Sequence, residues 1–84
     1  MQVSTDTYTE SIAGAVRAEL SRSRKKFIDI AAVIGVSRPT AYRRINGDEP
    51  FDVAELEQIA DFLGISVQTI FDSAELGRRA KEAA

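Results

Sequence analysis

Gly35 sits between two short apolar runs, and that arrangement constrains the fold more than any other feature. Upstream, Phe27, Ile30, Ala31 and Ile34 recur at the spacing of one helix face. Downstream, Ala41 and Ile45 make a pair four residues apart. A glycine adopts the left-handed C′ conformation without Cβ strain, so Gly35 suits the end of the first helix. Val36 can plug the turn into the core. Ser37 can cap the next helix by accepting backbone N–H bonds. Pro39 then falls in the first turn, where its missing donor has no bond to lose. Asn46-Gly47-Asp48 is turn chemistry and ends that helix. Two short helices joined by a tight glycine turn form a helix-turn-helix.

The remaining apolar spacing is also helical, and no segment alternates with the period of a half-buried strand. Ile12, Val16 and Leu20, with Ala13 and Ala15 beside them, mark a first helix. Thr7 followed by Glu10 has capping-box spacing and predicts a start near Tyr8, with fraying around Ser21 to Arg24. Asp52 can cap a fourth helix carrying Val53, Leu56, Ile59, Ala60 and Leu63, which Gly64 ends. Ser66 can cap a fifth, carrying Val67, Ile70 and Phe71. Beyond Asp72 the chain can extend helix five, form its own helix or fray. The expected organisation is one all-α, five-helix domain over residues 1–76 and a polar tail over 77–84, with no internal repeat. Phe27, Phe51, Phe62 and Phe71 fall at apolar positions and read as core.

Composition narrows the chemistry. A chain of 84 residues is one small domain, and 44% apolar residues can supply its core. With no Cys and no His there is no disulfide, and the usual zinc ligand sets are missing. The acids of helix four read as a solvated face, because no catalytic partner or phosphate loop accompanies them. An enzyme is therefore not expected, nor a cofactor, a metal site or a small-molecule ligand. The opening MQVSTDTYTES lacks the basic and apolar regions of a signal peptide, and no apolar run nears the roughly 20 residues that cross a bilayer. The expectation is a cytoplasmic protein with no membrane partner.

Charge is segregated along the chain. From Arg22 to Arg44 seven basic residues face one acid, a surplus of +6, while from Asp48 to Glu75 there are eight acids and no base. The formal net charge of −2 conceals this dipole. A polyanion would feel the local patch, because charges beyond about 10 Å are screened at ordinary salt. The expected partner is double-stranded DNA, with the acidic half facing away. The helix at 38–46 fits the width of the major groove. With Ala41 and Ile45 turned inward, Pro39, Tyr42, Arg43 and Asn46 point outward, Thr40 lies at the edge, and Arg38 can swing in from the helix start. Arginine makes bidentate bonds to guanine O6 and N7, and Tyr42 offers a ring edge to a thymine methyl. Ser37, Thr40 and Asn46 suit phosphate. Arg24, Lys25 and Lys26, just before the motif, are further expected phosphate contacts. Arg44 flanks the core face, with either a phosphate or an acid such as Asp48 or Glu49 as its partner.

The run FIDIAAVIGVSRPTAYRRINGDEPFDVAELEQIADFLGISVQTIF resembles the lambda-repressor-like helix-turn-helix domains, the Cro/repressor-type or XRE family of phage and bacterial regulators. Ala31, Gly35, Val36, Ser37, Thr40, Ile45 and Gly47 carry the resemblance. It implies a five-helix bundle and a transcription regulator, usually a repressor that binds a pseudo-palindromic operator as a dimer. By position it implies base contacts from Arg38, Pro39, Tyr42 and Arg43, and phosphate contacts from Ser37, Thr40 and Asn46. Phe27 stands where the family often has a phosphate-binding Gln, and Lys25 or Lys26 can substitute. Nothing in the sequence marks a homodimer face. The alternative of a different class is an antitoxin-like or other protein-interaction module of the same fold.

Overall fold

The computed structural model describes residues 5–83, with side chains from Tyr8 onward. Five helices follow one another: α1 Thr5–Arg22, α2 Asp29–Ile34, α3 Arg38–Ile45, α4 Val53–Leu63 and α5 Val67–Ala83. No strand occurs among the described residues. Ile12, Val16 and Leu20 of α1 are buried as their spacing predicts, together with Ile30, Ile34, Ala41, Ile45, Leu56, Ile59 and Ile70. Phe27, Phe51, Phe62 and Phe71 pack half-buried around this cluster. α1 lies along α5 and also meets α3, while α2 is held between α3 and α4. The two long helices thus make a base that meets α3 and α4, and α2 packs on those two.

Two boundaries differ from the sequence expectation. α1 is already helical at Thr5, so Thr7 lies inside it rather than at a cap, and its side chain lies outside the described residues. α2 begins at Asp29 instead of Phe27. There the Asp29 and Ile30 N–H groups reach back three residues, to Lys26 and Phe27 carbonyls at 3.1 Å. That tighter turn delays the α-helix by two residues.

The other terminators behave as read. Gly35 closes α2 at φ 70° and Gly64 closes α4 at φ 72°, both left-handed. Ser37 caps α3, and Asp52 caps α4 in a full capping box with Glu55. The tail continues α5 without a break through Gly77 to Ala83, and Lys81 reaches Glu10 of α1 at 3.4 Å.

The turn between α2 and α3 has a local counterpart between α4 and α5. Gly35-Val36-Ser37-Arg38-Pro39-Thr40 recurs as Gly64-Ile65-Ser66-Val67-Gln68-Thr69. In each copy the residue after glycine donates its N–H to an alanine carbonyl five residues back at 3.0 Å, Ala31 in one and Ala60 in the other. In each, the serine Oγ accepts the threonine N–H, at 3.3 Å for Ser37 and 3.2 Å for Ser66. The domain therefore holds two geometrically alike helix-turn-helix corners.

Candidate nucleic-acid interface

Charge separates the two corners. Where α3 presents Arg38, Tyr42 and Arg43, the matching positions of α5 are Val67, Phe71 and Asp72. Only the first corner offers cations to a polyanion, so local electrostatics rather than backbone shape singles it out.

α3 splits cleanly into two faces. Ala41 and Ile45 are buried, at 2% and 0% exposure, and seat the helix on α1 and α2. Ser37, Arg38, Pro39, Tyr42, Arg43 and Asn46 are exposed, and Thr40 is half-buried at the edge. The structure thus gathers on one outward face the residues expected to read bases, together with Asn46. The side chains of Arg38, Tyr42 and Asn46 have no hydrogen-bond or ionic partner among the described residues. Ser37 is engaged at the cap, where its hydroxyl also donates to Thr40 Oγ1 at 3.0 Å. Its expected phosphate contact would share that role with capping.

The two adjacent arginines have different surroundings. Arg43 Nε donates to Glu49 Oε2 at 2.8 Å, and its Nη2 donates to Thr40 Oγ1 at 3.0 Å. The Arg43–Glu49 pair lies in the open, with side chains 49% and 39% exposed. Hydrogen bonding from Arg43, helped by the charges of Arg43 and Arg44, holds the Glu49 carboxyl below its ordinary pKa. Arg44 instead turns back across α3. Its Nη1 bonds Glu55 Oε2 of α4, and its Nε lies 3.7 Å from Glu49 Oε1. Of the two partners foreseen for Arg44, the structure places an acid against it, and the main acid is Glu55, which the sequence reading did not name.

The acidic segment consequently does not all face away. Its leading acids, Glu49 and Glu55, fold back onto the basic helix. The cause is the turn after α3. Gly47 takes φ 88°, and the Asp48 and Glu49 N–H groups both return to the Arg43 carbonyl, at 2.8 and 3.3 Å. A Cβ at Gly47 would also stand 3.4 Å from the Glu10 backbone of α1. That distance is an ordinary contact, so the position needs glycine for its positive φ and not for clearance.

Arg17 is a second residue the sequence reading missed. It extends from α1 to donate to the Ile45 carbonyl at 2.6 Å, placing a cation on the C-terminal end of α3. Its only sequence signal is a lone arginine bordering the α1 apolar stripe.

The expected phosphate-binding cluster lies in the α1–α2 turn. Arg24, Lys25 and Lys26 are all exposed. Arg24 holds the left-handed conformation at φ 59°, the one described non-glycine residue to do so. The Lys25 N–H closes that turn on the Leu20 carbonyl at 2.9 Å, and its Nζ sits 5.1 Å from the centre of the Phe62 ring. Arg22 leans on the buried Glu19 at 3.2 Å.

A cleft of about 600 Å³ opens elsewhere, between Tyr8, Ile12, Phe51, Leu56 and Phe71, and none of the expected DNA-facing residues lines it. Among the described residues no three carboxylates gather to hold a metal ion, and no helix is long and apolar enough to cross a membrane.

Comparison with known proteins agrees with this architecture. Residues 8–79 match the family described as the BetR domain. Among solved structures, the clp gene regulator ClgR from Corynebacterium glutamicum superposes with a TM-score of 0.84 at 18% identity, over 90% of this chain and 81% of that one. At that identity the likeness is one of fold. No curated protein sequence matches the chain.

Proposed function

The chain belongs to the BetR-domain family, and we propose that it is a double-stranded-DNA-binding transcription regulator that reads the major groove with α3. One observation carries the reading: the exposed face of α3 holds Arg38, Tyr42 and Arg43, while Ala41 and Ile45 on the opposite face are buried. The fold neighbour ClgR is itself described as a gene regulator, which supports the same class. Arg38, Pro39, Tyr42 and Arg43 contact base edges. Ser37, Thr40, Asn46, Arg24, Lys25 and Lys26 contact phosphate and set the register. Arg44 belongs to the support of the helix through Glu55 rather than to the interface. The protein acts in the cytoplasm as a repressor of the Cro type, by occupying an operator and blocking polymerase.

Selection of duplexes from a random library by the purified protein tests this. The winner is then compared with a scrambled control across salt, because phosphate binding alone falls steeply with ionic strength. A winner that outbinds its scrambled control at about 0.15 M salt supports the regulator. Two half-sites spaced by about one helical turn would support a dimeric repressor, and a single short site a monomeric reader. Absence of enrichment sinks the reading in favour of a protein-interaction module.

A further inference from the structure

Arginine has five N–H donors, and in Arg43 two groups are already engaged: Nε with Glu49 and Nη2 with Thr40. Both Nη1 hydrogens and the second Nη2 hydrogen remain, enough for the two-pronged contact that a guanine O6 and N7 accept. Glu49 is delivered to this position by the backbone, since its N–H and that of Asp48 are both bound to the Arg43 carbonyl. A carboxylate fixed there does two things at once. It holds a flexible guanidinium in one orientation, and it sets a negative charge beside the patch that phosphates approach.

We propose that Glu49 is a specificity-determining residue, which orients Arg43 for a guanine edge and weakens its binding to phosphate alone. The inference rests on the DNA-reading function proposed above. Neither effect needs Glu49 to touch a base. On a matched site the loss of repulsion when Glu49 is neutralised is offset by the loss of Arg43 orientation, because an untethered arginine must be ordered on binding. On unmatched DNA only the repulsion counts. Thr40 alone leaves Arg43 with one tether, and Arg44 cannot take its place because Glu55 holds it against α4.

The test compares wild type, Glu49→Gln, Arg43→Ala and the double variant on the selected duplex and its scrambled control at about 0.15 M salt. Removing one negative charge at the interface is worth about one phosphate contact, so Glu49→Gln should tighten scrambled DNA about fivefold and steepen its salt slope by about 0.9. Affinity for the selected duplex should stay within about twofold, so discrimination falls by about the same factor of five. In the Arg43→Ala background, Glu49→Gln should change both duplexes by one common factor. Equal tightening on both duplexes in the wild-type background would overturn the proposal, leaving Glu49 a general repulsive charge. A loss of discrimination that persists without Arg43 would overturn it as well. If wild type itself enriches no duplex, the DNA-reading function fails and this inference with it, an outcome distinct from enrichment with equal tightening. Thermal unfolding of each variant separates any loss of folding from a change in selectivity.

Discussion

Glu55 binds Arg44 of α3 with one carboxylate oxygen and the Asp52 backbone N–H with the other, at 3.0 Å for the latter. The capping box of α4 and the seat of α3 are thus one structure. Asp52 reciprocates by accepting the Glu55 N–H at 2.7 Å. Both charged side chains are largely covered, at 21% exposure for Arg44 and 11% for Glu55. Removing Glu55 would leave a mostly buried guanidinium without its main partner and free the first turn of α4. Glu55→Ala should therefore lower unfolding stability by about 2–4 kcal/mol, read by urea titration. A loss under about 1 kcal/mol would show the pair to be no better than an exposed one.

Arg24 has an unfavourable backbone for a residue with a side chain. The left-handed conformation costs about 1–2 kcal/mol without glycine, partly offset by the greater chain entropy glycine brings to the unfolded state. Arg24→Gly should raise stability by about 0.5–1 kcal/mol while weakening all DNA sequences alike. Opposite signs in stability and in binding would identify a strained residue retained for its charge. Tighter or unchanged DNA binding would remove Arg24 from the interface.

Arg17 supports α3 from behind. Its bond to the Ile45 carbonyl is charge-assisted and lies at a helix C-terminus, where a cation is favourable. Arg17→Ala should cost about 1–2 kcal/mol in thermal or urea unfolding. It should reduce affinity for the selected duplex without changing which sequence is selected, since Arg17 holds α3 through a backbone carbonyl and not through a base-reading side chain. A changed preference in a repeated selection would contradict this support role.

Arg43 and Lys26 should fail differently. Arg43→Ala should cost about 1–3 kcal/mol on the selected duplex, with little change on the scrambled control. Lys26→Ala should weaken both duplexes equally and reduce the salt slope by about 1. Matching profiles for the two variants would make Arg43 a phosphate contact.

Acid should release Glu49. Because its folded pKa is depressed below the ordinary 4.5, its contribution is fully present above that value and is lost as pH falls through the lower folded pKa. Between neutral pH and about pH 5 the Arg43 Nε–H resonance in an NMR titration should stay constant. It should then move as the carboxylate protonates, and Glu49→Gln should abolish that step. A titration midpoint at or above 4.5 would mean that the pair does not form in solution.

Residue type and spacing were enough to read the local events. Helical periodicity set out the five elements, Gly35, Ser37, Pro39, Asp52 and Gly64 placed their ends, and Ala41 with Ile45 identified which side of α3 turns inward. All of these depend on interactions within a turn or two, so residue type and spacing suffice. The resemblance carried by the Gly35–Gly47 stretch extended this to the bundle, and the outward face of α3 followed from its inward one. The turn at Gly64 shares three residue identities with that at Gly35, and the likeness of the two turns shows only in their matching hydrogen bonds.

The role of each charge depends on the packed bundle. Arg43 and Arg44 are neighbours with the same side chain, yet one is held outward by Glu49 and the other inward by Glu55. Glu55 lies eleven residues from Arg44, and Arg17 twenty-eight from Ile45, separations no helical rule relates. A long charged side chain has many conformations, and its partner is selected by where the backbone brings an opposite charge or an open carbonyl. That depends on the turn at Gly47 and on how α1 and α4 pack against α3, which exist only in the folded bundle.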